Sequence, residues 1–133
     1  MPTTKKDLVT LSKLGRQNSK PERRLEVFPN HAPGNLTVTL HATEFTCRCP
    51  LTNQPDFAEI FIDYVPNKFV VESKSFKLYL ESFREVGVFH EHLAVDIGQD
   101  FVKFVKPKKV AVTVEFNVRG GVAIAATWES KKK

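Results

Sequence analysis

The sequence is poor in thiols and in large polar aromatics. It has two cysteines, one tryptophan and two tyrosines in 133 residues, against eleven phenylalanines. Both cysteines fall in one stretch, FTCRCPLTNQPDF, residues 45 to 57. Neighbours at i and i+2 are awkwardly placed for a disulfide, so no covalent staple is expected and the thiols are free to react. The chain also lacks the run of about 20 apolar residues that a membrane helix needs, and its first thirty residues lack the apolar centre of a secretory signal. A cytoplasmic protein with no membrane partner is the expectation, and thiols stay reduced in that compartment. The paired C-x2-C and H-x3-H spacings of a zinc site are missing too. His41, His90 and His92 with Cys47 and Cys49 are the right ligand types in the wrong pattern, and no metal is expected. Finally, there is no G-x-G-x-x-G, so any dinucleotide must be held outside a Rossmann crevice.

What is present suffices for one domain. A chain of this length buries about 65 to 70 percent of the surface exposed when unfolded, and the phenylalanines supply an aromatic core. The net charge of +5 invites a nucleic-acid reading until it is divided along the chain. Residues 1 to 24 carry seven Lys/Arg against two acids, and residues 129 to 133 three Lys against one Glu, whereas 25 to 128 carry ten Lys/Arg against twelve acids. The basicity therefore lives in the ends, where a solvated terminus explains it, and no direct nucleic-acid partner is expected. Residues 1–24 read as a flexible basic leader, in which Leu8, Leu11 and Leu14 allow a short amphipathic turn. Residues 25–133 read as the single folded domain.

Hydrophobic periodicity orders that domain. Leu36, Val38, Leu40 and Ala42 alternate with polar residues in a strand to about Thr46, and FAEIFIDYV (57–65) forms a second strand ending at Pro66. In SKSFKLYLESFREVG the residues Phe76, Leu80 and Phe83 recur at helical spacing, with Ser73 or Ser75 as N-cap and Gly87 as C-cap. Leu93, Ile97, Phe101, Phe104 and Val105 line a second helix that stops at Pro107. Val110 to Val118 alternate as a strand, RGG turns, and Val122, Ile124, Ala126 and Trp128 return as another. The order ββααββ is an α+β fold, an antiparallel sheet with two helices on one face. Its other face must be polar or covered by further subunits.

Three stretches carry chemistry. A cysteine at a strand-end turn with a carboxylic acid nearby can attack an electrophilic carbon, which makes Cys49 and Asp56 candidates for nucleophile and proton donor. In ESKSFKLY, Lys74 and Lys77 stand three apart on one face of a helix start and suit a phosphate-bearing ligand. The Glu91 carboxylate, beside His90, can accept the adjacent N–H donors of a purine edge.

These blocks, CPLTNQPDFA, VESKSFKLYLESFR, FHEH and RGG, come in the order and spacing of one family. The sequence resembles the short, single-domain 7-cyano-7-deazaguanine (preQ0) reductases, nitrile oxidoreductases of queuosine biosynthesis that serve tRNA modification. The resemblance runs from about Gly34 to Trp128. It implies a tunnel fold (T-fold), in which subunits set their sheets side by side in an oligomeric barrel, a decamer of two pentamers with sites at subunit interfaces. It implies that Cys49 adds to the nitrile as a covalent thioimide and that Asp56 donates a proton. Val71, Glu72, Ser73, His90 and Glu91 fall on positions that hold the deazapurine, and Lys74, Lys77 and Arg119 on positions that meet NADPH. A second cysteine that family members can carry just after the FHE segment is replaced here by Leu93. The alternatives are the tunnel-fold relatives that convert a nitrile on preQ0-modified tRNA to an amidine without reduction, and a basic binding module that keeps only the scaffold.

Overall fold

The computed structural model describes residues 3–12 and 20–131. Helix α1 (Lys5–Leu8) and the strand β1 (Val27–Pro29) precede the first long strand, β2 (Val38–Arg48). Then come β3 (Pro55–Val65), β4 (Phe69–Val71), α2 (Ser73–Glu81), α3 (His90–Phe104), β5 (Lys109–Arg119) and β6 (Val122–Glu129). The four long strands form one antiparallel sheet in the order β2-β3-β5-β6, and β1 pairs with β4 in a small second sheet. The ββααββ frame is therefore present. The two three-residue strands are an addition that periodicity over so few residues does not signal.

The two faces of the main sheet differ as the alternation predicts. Ile60, Ile62 and Tyr64 of β3 and Val110, Val112 and Val114 of β5 are buried beneath Leu93, Ile97 and Phe101 of α3. Phe101 makes edge contacts with Tyr64 at 5.4 Å and with Phe76 at 6.1 Å, so the phenylalanines lock helices to sheet; such pairs are worth about 0.5–1.5 kcal/mol beyond area burial. The opposite face is a polar lattice, with Thr39 donating to Asp63 at 2.7 Å, His41 meeting Glu59 at 2.9 Å and Thr113 meeting Thr127 at 2.8 Å.

Strand β2 does not keep its period. A register shift between Ala42 and Phe45 inserts a bulge, after which odd rather than even positions point inward. Phe45 and Cys47 are buried as a result. β2 also runs two residues past the expected end at Thr46, and β3 begins two residues before Phe57, at Pro55. Asp56 is thus a strand residue, paired across the ladder with Cys47.

The helices are shorter than their patterns suggest. α2 ends at Glu81, where the N–H of Ser82 is shared between the carbonyls of Leu78 and Tyr79 and the chain tightens into a turn. Its N-cap is neither Ser73 nor Ser75 but Glu72, whose buried carboxylate accepts from the N–H groups of Lys74 at 2.7 Å and Ser75 at 2.8 Å. Gly87 does not cap a helix. It lies in the α2–α3 connection with its Cα against Pro50, so that a Cβ there would stand 3.0 Å from the Pro50 Cα.

Within the basic leader, Asp7 is buried and joins His31 at 3.0 Å, and Ser12 donates its N–H to Glu26 at 2.6 Å. Leu14 lies outside the described residues.

Gly98 in α3 has Trp128 of β6 directly above it: a Cβ at this position would fall 2.0 Å from the indole Cε3. Alanine gains about 1 kcal/mol of helix propensity over glycine, but overpacking costs about 1–3 kcal/mol and the ring has to move bodily. Gly98→Ala is expected to lower the urea midpoint, read through the emission of the single tryptophan. An unshifted midpoint would mean that the indole swings aside freely.

Candidate active site

The connection from β2 to β3 is a closed turn. The Cys49 N–H donates to the Gln54 carbonyl at 2.9 Å, and the Asn53 N–H donates to the Cys49 carbonyl at 2.9 Å, with Asn53 in the left-handed region at φ 59°. Asparagine tolerates that conformation better than most residues. The turn folds its own donors toward the Cys49 sulfur. Hydrogen bonds from the Thr52 side chain and from the Thr52 and Leu51 backbone hold the thiol below its ordinary range, against smaller opposing effects of desolvation and of the Asp56 charge. Cys47, two residues away, is the reverse case. It is 0% exposed, and burial, with the nearby Asp56 and Cys49, pushes its thiol up to about 12. One cysteine has its thiolate form favoured by the turn; the other is a core residue.

Asp56 sits on the inward face at the start of β3 and is 2% exposed. A buried carboxylate must be satisfied by partners. Arg119, at the end of β5, pairs with one of its oxygens, and Nε2 of His90, the first residue of α3, lies 3.4 Å from the other. The His90 ring in turn lies flat on Phe116 of β5, centroids 3.5 Å apart and 7° from parallel, which fixes the imidazole plane. Arg119 also donates to the Gln54 side chain at 2.8 Å and keeps 47% of its own side chain exposed. Gln54, Asp56, Phe116, Asn117 and Arg119 line a cavity of about 420 Å³.

Of the residues singled out in the sequence, the structure brings together Cys49, Asp56, His90 and Arg119. Glu91 is exposed one position further along α3. Val71, Glu72, Ser73 and Lys74 gather at the start of α2, where Glu72 serves as the helix cap and Val71 donates its N–H to the Tyr64 hydroxyl at 3.1 Å. Lys77 is exposed on the next turn, in a groove between α2 and β2 that also holds Arg84, Phe76 and Leu80. Cations beside an apolar floor suit the phosphates and base of a dinucleotide.

Thr52, Gln54 and Phe116 take part in the site and were not read from the sequence. Thr52 had a local signal, a hydroxyl three residues after the cysteine inside a turn. Gln54 and Phe116 act through pairing with another strand or another helix, which no local pattern reveals.

Two consequences are measurable. Iodoacetamide should label Cys49 with a rate that rises with pH around a midpoint below that of an ordinary thiol, because only the thiolate reacts. Cys47 should be labelled only after denaturant is added. Labelling of Cys47 in the native protein would contradict its burial.

Known proteins resemble this chain over much of its length. Residues 55–133 match the model of the QueF-like protein family. A protein from Syntrophus aciditrophicus named NADPH-dependent 7-cyano-7-deazaguanine reductase is 48% identical over 131 residues, covering 98% of this chain and 93% of the relative. One of the same name from Frankia casuarinae is 50% identical over 119 residues, covering 90% and 94%. Among solved structures, the apo form of an archaeosine synthase QueF-Like superposes with a TM-score of 0.67 at 31% identity, covering 71% of this chain and 92% of that one. Near-half identity over almost the whole length of such relatives, with a family match spanning most of the domain, establishes that this chain belongs to the QueF-like family.

Proposed function

We propose that this chain is a short, single-domain NADPH-dependent 7-cyano-7-deazaguanine reductase, reducing the nitrile of preQ0 to the aminomethyl group of preQ1 for queuosine synthesis in the cytoplasm. The observation that carries this reading is the low-lying Cys49 thiol on a turn that ends at the buried Asp56, in a chain 48% identical to a reductase of that name over 98% of its length. A nitrile carbon is a weak electrophile until a thiolate adds and the nitrogen is protonated. Cys49 Sγ forms the new C–S bond, and the proton its thiol gives up is taken by Asp56, with the His90 imidazole beside it, and passed to the nitrile nitrogen as the C≡N π bond opens. The product of that addition is a thioimide.

NADPH, when bound, supplies hydride. Going from nitrile to primary amine takes four electrons and hence two NADPH. The first reduces the thioimide, after which the Cys49 thiolate leaves and an imine forms; the second reduces the imine. Lys77, with Lys74 one turn before it, fits the cofactor's phosphates, and the half-exposed Arg119 stands close enough to the acid to serve cofactor and Asp56 in turn. Glu91 accepts from the guanine-like edge of the substrate. His90, Val71, Glu72 and Ser73 complete the pocket.

Among the described residues β2 and β6 are the outer strands of the main sheet, and apart from the Arg48 bridge at the end of β2 their outer edges carry no strand partner, which supports a tunnel-fold barrel in which the sheet of one subunit continues into the next. A decamer of two pentamers would set the α2 group of one copy against the Cys49 turn of another. The chain's likeness to an archaeosine synthase favours a second reading, amidine formation on preQ0-modified tRNA without reduction.

Incubating the protein with 7-cyano-7-deazaguanine and no NADPH should give one covalent adduct, located by digestion and mass spectrometry at Cys49. Adding NADPH should discharge it, with two NADPH oxidised per nitrile. Cys49→Ala should abolish both, and Asp56→Asn should slow turnover by about 10²–10⁴-fold, the usual contribution of a positioned acid. An active Cys49→Ala variant would overturn the mechanism, and ammonia-dependent amidine formation without NADPH oxidation would decide for the second reading.

A further inference from the structure

Arg48, between the two cysteines, does not point idly into solvent. Its backbone N–H donates to the Val86 carbonyl at 2.9 Å, and its own carbonyl accepts from the Val88 N–H at 3.1 Å, making a parallel bridge to the α2–α3 connection around Gly87. Its guanidinium then reaches both ways. One terminal nitrogen donates to the Asn53 carbonyl at 3.2 Å inside the nucleophile turn, and the other meets the Glu85 carboxylate at 2.9 Å on that connection. Gly87 closes the same contact from below, with its Cα against Pro50. The Arg48 Nε is buried and finds no acceptor among the described residues, an arrangement that stability alone would not favour.

From this geometry we infer that Arg48 is a positioning residue for the nucleophile: clamped to Glu85, it holds the 49–54 turn in the one shape that aims the Leu51 and Thr52 donors at Cys49 Sγ. The Asn53 carbonyl it grips belongs to the left-handed residue that reverses the chain, so releasing that carbonyl lets the turn relax and its donors drift from the sulfur. The α2–α3 connection also leads into His90, which touches Asp56. A single connection therefore braces the nucleophile turn and aims the partner of the acid. This inference rests on Cys49 being the nucleophile.

A direct effect of charge would act differently, and that makes the inference testable. Asp56 is the charge that acts on Cys49, and it is itself paired with Arg119 and His90; Cys47 is the neighbouring thiol, and Arg48 with Glu85 faces the turn from the side of the connection. Glu85 is 75% exposed in its side chain, so Glu85→Ala should fold normally. Deleting an anion near a thiolate would by charge alone move the thiol's titration down; losing the clamp moves it up. The measurement is the pH profile of Cys49 alkylation by iodoacetamide, which needs neither nitrile nor NADPH, so its failure is separate from a failure of the reductase reading. Arg48→Met is expected to raise the midpoint by about one pH unit, a tenfold loss of thiolate at neutral pH. Glu85→Ala should raise it by less, and Arg48→Lys, able to keep one of the two contacts, should fall between wild type and Arg48→Met. Should Arg48→Met fail to fold, Glu85→Ala and Arg48→Lys carry the test. A midpoint unchanged or lowered in Glu85→Ala, or an Arg48→Lys profile that superposes on wild type together with it, would overturn the inference.

Discussion

The pairing of Cys47 with Asp56 across the β2–β3 ladder is the constraint on which the site depends. Paired residues in an antiparallel ladder share a face, so once Cys47 is inward Asp56 must be inward too. That places a carboxyl beneath the helical layer, where it cannot stand alone. Arg119 and His90 answer that need from β5 and α3, and in doing so they bring the far ends of the chain to the nucleophile. The carboxylate's burial organises the site as much as its chemistry does.

The bulge after Ala42 is what makes this pairing possible. Strict alternation from Leu40 and Ala42 would carry Glu44, Thr46 and Arg48 inward, putting two charges into the core and turning Cys47 out. One extra residue in β2 reverses the parity. Phe45 and Cys47 then fill the core, and Arg48 emerges on the side where it can reach the turn and Glu85. That irregularity turns Cys47 inward; Cys49 has the same parity but escapes the core because β2 ends at Arg48 and leaves it in the turn. The burial that keeps Cys47 protonated also removes it as a competitor for the electrophile.

Much of this fold is legible in the sequence because the long elements repeat their periods often enough to be counted. The alternation of Val110 to Val118 and the helical spacing of Leu93, Ile97 and Phe101 survive in the structure with small changes at the ends. What is not legible has a common character. The bulge falls at Thr43 and Glu44, where neither residue breaks an alternation that is already polar. The three-residue strands β1 and β4 are too short to show a period. Glu72 is chosen as the N-cap over Ser73 and Ser75 because its longer carboxylate reaches two N–H groups at once from one position earlier, a choice that turns on where the chain enters the helix. Gly87 looks like a helix end by its spacing, yet the helix has already stopped at Glu81 and the glycine is needed for its closeness to Pro50.

The site shows the same division. Cys49, Asp56 and His90 can be picked out by residue type and local context, since a thiol at a turn and a carboxyl seven residues on carry a chemical meaning of their own. Arg119 can be picked out only as a cation near a hairpin, and its contact with Asp56 comes from a fold that closes 63 positions of sequence. On the proposed function Arg119 would have two partners in turn, the Asp56 carboxylate and a cofactor phosphate. A guanidinium cannot grip both fully at once. Arg119 closes β5, paired with Val122 across a two-glycine turn whose backbone angles, φ 58° and 79°, only glycine adopts readily, and its side chain is half exposed. On that reading the acid would be held by a half-exposed side chain and the nucleophile by a turn braced on two sides. Rigidity would then serve the group that must attack along one line, and a solvent-facing partner the group that must exchange its contact.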